Sequence, residues 1–306
     1  MAKAPIDPVP LDLVEQDLAE AARRLGDSFE RTGFALVSGH GVPQPVIDST
    51  LAAMRAFFAL TEAEKRRAHR PGTGGARGFT PFGIETARDA TLHDLKEFLH
   101  VGRELPDGHR LARFMPPNVW PERPPELRAC ALALFDALEA AGRRILRAIA
   151  VHLGRSADYF EAPVRDGNSV LRLLHYPPVP ADAPNLRAAP HEDINVITLL
   201  LGAEEAGLQL LSRAGDWREV TPPEGVLVVN VGDMLERQSG GRLRSTTHRV
   251  VNPPPERRGV ARFSMPFFLH FRPDHLIRPL TGDEARWPPI TADDFLQQRL
   301  REIRLA

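Results

Sequence analysis

The chain has almost no cysteine and almost no lysine. Cys130 is the only cysteine among 306 residues. That excludes an intrachain disulfide and a cysteine-built zinc cage, and it suits a reducing cytoplasm. Lys3, Lys65 and Lys96 are the only lysines among 39 basic residues; the arginine bias reflects a GC-rich genome and has no mechanistic weight. Acidic and basic residues nearly cancel, leaving a formal charge of −1. This balance argues against nucleic acid or an anionic membrane as a whole-surface partner. No run of about 18 apolar residues occurs, so no transmembrane helix is expected. Residues 1–7 contain no apolar core of a secretory signal. Repeats, low-complexity tracts and a clean linker are also missing.

What is present falls into two textures. Val14, Leu18, Ala21, Leu25 and Phe29 recur every three or four residues, which predicts a helix over 11–32 stopped by Gly33. Phe34 to Val37 reads as a strand, and His40, between Gly39 and Gly41, as part of a structural turn. A second helix is expected over 45–59. Thr61 and Glu64 form a capping-box pattern for a third. Residues 70–94, with Gly72, Gly74, Gly75 and Gly78, read as an irregular stretch in which Arg77, Phe79 and Phe82 either face a substrate or pin the loop to the core. Residues 96–101 read as a strand. Leu127, Leu134, Leu138, Ala141, Ile145 and Ile149 mark the buried stripe of a long helix ended by Gly154. It should pack outside a β-core, with Cys130 and His152 on its structural surface.

From Val170 onward short strands follow one another, over 170–176, 194–201, 207–211, 217–220, 226–231, 243–251 and 260–268, separated by turn residues. Such a series predicts a sandwich or jelly roll. A last helix is expected over 291–303, with Phe295, Leu296, Leu300 and Ile303 as its apolar side. The fold class is therefore mixed α and β. One catalytic unit over 1–306 is expected, with a mainly helical part (1–165), a jelly-roll core with the metal site (166–280) and a C-terminal helix (281–306).

The chemistry concentrates in three places. His191 and Asp193 stand two residues apart, and on an extended strand such a pair shares a face. His248 lies on a later strand that can return to the same mouth. Two imidazoles and one carboxylate on one face leave open positions on an octahedral metal, the arrangement of non-haem Fe(II) oxygenases. Arg262 and Ser264 also share a strand face, and a guanidinium beside a hydroxyl can grip a carboxylate. Tyr176, ending a strand before Pro177, can donate from the other side. An internal Asp or Glu paired with Arg262 remains the alternative at this stage.

These residues, with Gly232-Asp233-Met234-Leu235-Glu236, the stretch from Gly241 to Pro253, the Gly33–Gly41 segment and Asp94-Leu95-Lys96-Glu97-Phe98, make the chain resemble the isopenicillin N synthase-like family of Fe(II)/2-oxoglutarate-dependent dioxygenases. The resemblance covers nearly the whole chain. It implies a distorted double-stranded β-helix (jelly roll) flanked by helices. It implies Fe(II) on His191, Asp193 and His248, and 2-oxoglutarate held by Arg262 and Ser264 with Tyr176. O2 is consumed, succinate and CO2 are released, and an unactivated C–H bond of a small molecule is oxidised, most simply by hydroxylation. Plant members carry Asn where Leu174 stands and Tyr where His175 stands, so a plant-type substrate pocket is not implied. Glu192 and Asn195 stand as pocket or structural residues. The competing readings are an oxidase of the same fold that needs no 2-oxoglutarate, an ethylene-forming type, a non-catalytic jelly-roll binding protein and a zinc hydrolase. Substrate and oligomeric state are left open.

Overall fold

Asp17 decides where the first long helix begins. In the computed structural model, which describes residues 4, 6–71, 76–85, 92–180, 183–201 and 207–302, its carboxylate accepts the Glu20 N–H at 3.0 Å. The helix expected over 11–32 is thereby divided into α1 (Leu13–Gln16) and α2 (Leu18–Thr32). A side-chain oxygen that satisfies a first-turn N–H starts a helix even inside a continuous apolar period. Gly33 ends α2 with a φ of 73°, a conformation glycine adopts without a Cβ penalty.

Strand β1 (Pro8–Pro10) runs parallel to β2 (Phe34–Ser38). Helix α3 (Gln44–Phe58) and the capping-box helix α4 (Glu62–Arg66) follow. Strand β3 (Gly78–Thr80) lies inside the stretch read as irregular and pairs with β4 (Glu97–Gly102). Gly72, Gly74 and Gly75 lie outside the described residues. Next come α5 (Leu127–His152), α6 (Glu161–Val164) and β5 (Val170–Tyr176). The remaining strands are β6 (Ala188–His191), β7 (Ile197–Leu201), β8 (Leu208–Leu211), β9 (Trp217–Glu219) and β10 (Leu227–Val231), then β11 (His248–Val250), β12 (Arg262–Ser264), β13 (Pro266–Leu269), β14 (Leu276–Ile277) and β15 (Ile290–Thr291). Helix α7 (Asp233–Gln238) follows β10, and α8 (Ala292–Glu302) comes last; Ile303 lies outside the described residues.

The large sheet has the order β1-β2-β10-β7-β13-β5-β4-β3, with β12 also on β5, and the smaller has the order β6-β11-β8-β9. This is the mixed α and β jelly roll flanked by helices. The mainly helical 1–165 part also contributes β1 to β4 to the large sheet. Three strand expectations change. The strand over 243–251 shrinks to β11, because Ser239 Oγ accepts the Leu243 N–H and Glu236 accepts the Ser245 N–H. The strand over 260–268 splits into β12 and β13: the first pairs with β5, and the second with both β5 and β7. The strand over 194–201 begins only at Ile197.

Helix α5 packs on the large sheet with Leu134, Leu138, Ile145 and Ile149 fully buried. It comes close at Gly142, where a Cβ would stand 2.5 Å from Leu269 Cδ1 and 3.4 Å from Leu199 Cδ1. His152, near its end, pairs with Glu30 at 2.9 Å, so the structural reading of that residue holds. No described helix is long and apolar enough to cross a membrane. Gly142→Val should cost roughly 1–3 kcal/mol by overpacking this contact. An unchanged thermal midpoint would show that the helix is free to slide on the sheet.

Candidate metal centre and its cavity

The site is built where the small sheet hands the chain to the large one. Strand β6 ends at His191, and residues 192–196 cross to β7. His191 and Asp193 therefore do not share one strand face, as expected from their spacing; the carboxylate comes from the crossing turn. His248 opens β11, directly opposite His191 in the antiparallel register. Ligand atoms of His191, Asp193 and His248 all lie within 4.8 Å of one another. His191 Nε2 is 4.0 Å from Asp193 Oδ1, and His248 Nε2 is 3.9 Å from Asp193 Oδ2.

Each imidazole is oriented through its other nitrogen. His191 Nδ1 lies 2.7 Å from the Ala189 carbonyl and His248 Nδ1 3.1 Å from the Thr246 carbonyl. A nitrogen facing a carbonyl carries the proton, so each Nε2 keeps its lone pair for a metal. Burial, then the neighbouring His248, pushes His191 down to about 4, which keeps it neutral near pH 7. Burial alone would raise the Asp193 carboxyl, but the two imidazoles and the hydrogen bonds from Asn230 and Thr198 hold it below its usual value. Asn230 Nδ2 donates to Asp193 Oδ2 at 2.7 Å and Thr198 Oγ1 donates to the same oxygen at 2.5 Å.

Arg262 and Ser264 are paired in register with Tyr176 and Leu174 of β5. All four are buried, and the Arg262 guanidinium carbon sits 5.3 Å from the Tyr176 ring centre. One cavity of about 70 Å³ is lined by His191, Asp193, His248, Arg262, Ser264 and Tyr176. The six residues singled out by sequence thus meet in one place.

The other candidates stand elsewhere. Asn195 is buried and donates to the Ile197 carbonyl and to Thr198 Oγ1, which makes it a support of the Asp193 turn. Glu192 accepts from Thr247 Oγ1 at 2.8 Å. Arg77 is buried and donates to Asn168 Oδ1, Phe79 packs edge-on against Phe57, and exposed Phe82 packs against His93. Arg77 and Phe79 follow the loop-pinning reading, whereas Phe82 meets His93 of the same stretch at the surface. His40 Nδ1 accepts the Val42 N–H within its turn. Residues that reasoning from sequence passed over are Thr198 and Asn230, which hold Asp193, and Lys96 and Arg172, which line the cavity. Arg172 was within reach, since alternation along β5 puts it on the face of Leu174 and Tyr176.

Comparison with known proteins follows the same division of the chain. Residues 6–123 match the family described as "non-haem dioxygenase in morphine synthesis N-terminal", and residues 167–271 match the "2OG-Fe(II) oxygenase superfamily". A 2-oxoglutarate-Fe(II) type oxidoreductase of Emericella nidulans is 31% identical over 91% of this chain and 83% of its own length. A solved structure of a 2OG-Fe(II) oxygenase family protein from Caulobacter crescentus is 52% identical, covers 98% of this chain and 100% of its own, and superposes with a TM-score of 0.91. A Neurospora crassa protein solved in complex with alpha-KG and thymine is 29% identical, covers 97% of this chain and 96% of its own, and gives a TM-score of 0.82.

Asn230→Ala should weaken divalent-metal binding by roughly 10- to 100-fold, the usual cost of removing a group that orients a ligand. Chelator competition against Co(II) or Fe(II) reads this directly; equal affinity in the variant would remove Asn230 from that role.

Proposed function

Because the chain belongs to the 2OG-Fe(II) oxygenase superfamily, we propose that His191, Asp193 and His248 hold its Fe(II), and that Arg262, Ser264 and Tyr176 hold the distal carboxylate of 2-oxoglutarate. The chain is an Fe(II)/2-oxoglutarate-dependent dioxygenase, an oxidoreductase that uses Fe(II), 2-oxoglutarate and O2. The observation that carries the residue assignment is that both sets line one cavity. The donor set fits the metal: two imidazoles with Nε2 free of protons and one carboxylate is the 2-His-1-carboxylate combination of such oxygenases.

When bound, the iron couples oxidative decarboxylation of 2-oxoglutarate, to succinate and CO2, to oxidation of a substrate C–H bond, with hydroxylation the default outcome. The chain's own groups prepare the site for that chemistry. The Arg262 fork and the Ser264 hydroxyl bind and orient a carboxylate at the closed end of the barrel. Tyr176, next to Arg262 in the register, adds a donor. Asn230 and Thr198 fix the rotation of Asp193. Phe34, Leu200, Leu208 and Val250 line the remaining walls and exclude water. The whole chain acts as one catalytic unit, since strands from 8–102 flank those from 170–269 on both sides of the large sheet. A small molecule is the substrate, a reading supported by the fungal neighbour that holds thymine beside alpha-KG.

The direct test is an anaerobic titration of the metal-free protein with Fe(II) and then 2-oxoglutarate. A weak visible charge-transfer band should appear, saturate and be absent in His248→Ala. Iron binding without the band would favour an oxidase that uses no 2-oxoglutarate. Arg262→Ala should raise the KM for 2-oxoglutarate by roughly 10- to 100-fold, as expected when a buried charge-assisted hydrogen bond is removed. An unchanged KM would place the distal carboxylate elsewhere.

A further inference from the structure

Beside the iron ligands, the cavity has a wall that neither iron nor 2-oxoglutarate accounts for. Lys96 and Arg172 line it. Their carboxylate partners, Glu85 and Asp94, stand behind them and are not among the described residues that line the cavity. Lys96 Nζ is 2.7 Å from Asp94 Oδ2 and 3.6 Å from Glu85 Oε2. Arg172 Nη1 is 3.4 Å from Glu85 Oε2, and its Nε donates to His100 Nε2 at 2.7 Å. The Arg172 guanidinium carbon is 4.1 Å from the Phe98 ring centre and 5.3 Å from that of Phe268. The lysine side chain is 5% exposed and the arginine 15%. Asp94 also accepts the Ala189 N–H at 2.9 Å, which ties this wall to the strand carrying His191.

The arrangement is two cations in front and two anions behind. It is rich in donors but carries no net charge. Burial would raise the Glu85 carboxyl, yet Arg172 and Lys96 overcome that and hold it at about 2, so this anion persists at neutral pH. Of the two carboxylates only Asp94 lies within hydrogen-bond distance of Lys96 Nζ, so the ammonium has N–H groups to offer, and Arg172 has its Nη2 pair. A carbonyl oxygen can take these donors at little cost. A substrate carboxylate would place an extra negative charge in a buried site whose nearest cations are already matched, and such a charge is expensive.

We propose that Lys96 and Arg172 determine specificity, and that the primary substrate is a compact uncharged molecule bearing a carbonyl-type acceptor (an amide, lactam, imide or ketone) rather than a carboxylic acid. The acceptor lies against Lys96 and Arg172. The flat or apolar remainder lies against Phe268 and Leu174, which line the same cavity. This rests on the dioxygenase reading above, in which Arg262 serves 2-oxoglutarate and not the substrate.

The test uses matched neutral and acidic probes: benzamide with benzoate, cyclohexanecarboxamide with cyclohexanecarboxylate, and uracil with orotate. Binding to the protein loaded anaerobically with Fe(II) and 2-oxoglutarate is measured by calorimetry. The visible band is recorded first, so that failure of cofactor binding shows itself separately; the calorimetric preference is read whether or not the band forms. In the wild type at least one neutral probe should bind roughly tenfold or more tightly than its acid, the size of one charge-assisted hydrogen bond. Lys96→Met should weaken binding of the neutral probe roughly tenfold by removing its donor. It should leave the preference over the acid undiminished, because the wall then carries a net negative charge, and should leave the band unchanged. Glu85→Gln leaves the wall net positive and should shift each pair roughly tenfold toward the acid, an effect that loss of structure would not produce. Tighter binding of the acids to the wild type, binding of no probe, an inert Lys96→Met or an unmoved ratio in Glu85→Gln would each overturn the proposal.

Discussion

The site depends on how closely two pieces of backbone approach. The turn over 193–196 lies against the corner between β10 and α7, and Gly232 is the residue that permits it. A Cβ there would meet the Asn195 carbonyl oxygen at 2.2 Å and its carbon at 2.7 Å. With the glycine in place, Gly232 N–H donates to Val196, Asp233 N–H to Asp193 and Met234 N–H to Asn195. The crossing chain is thus clamped by backbone bonds without a continuous strand. Asp193 is left at the distance where Asn230 and Thr198 reach one of its oxygens. Helix α8 braces the same corner, because Arg299 stands 3.0 Å from Asp233 and 4.0 Å from Glu192.

A second dependence is the alternation of one strand pair. On β5, Tyr176, Leu174 and Arg172 point into the barrel, while His175 points out. There it bonds Glu97 at 2.7 Å and stacks on Phe263 at 4.8 Å between ring centres. Glu97 also holds Lys65 at 2.6 Å. Consecutive residues Lys96 and Glu97 therefore serve two separate buried ion networks, one on each face. His175 packs among α3, β4 and β12.

The parts of the fold legible in the sequence are those governed by local periods: α3, α5, β2, β5 and the glycine stop after α2. The six residues that meet in the cavity could be singled out because a His-x-Asp pair, a distant His and an Arg-x-Ser pair have few chemical uses together. What was hidden is long-range. The turn carrying Asp193 takes its hydrogen bonds from residues some forty positions later, so its apolar run Ile194 to Leu201 looked like strand throughout. The loop before His248 is held by the side chains of Ser239 and Glu236, which compete with sheet pairing. Thr198 and Asn230 sit in strands that read as apolar, and a lone polar residue there has no local mark.

The order of the large sheet separates two kinds of duty. The side chains that hold Asp193 come from β7 and β10, in the middle, and Arg262 and Ser264 from β12 on β5. The donor wall is carried by the residues just before β4 and by one position of β5, toward the other side of the sheet. Under the specificity proposal, a lineage can therefore exchange what the cavity recognises by altering positions 85, 94, 96 and 172 while β7, β10 and β12 stay untouched. In evolutionary terms such a sheet can keep its centre and negotiate its flank.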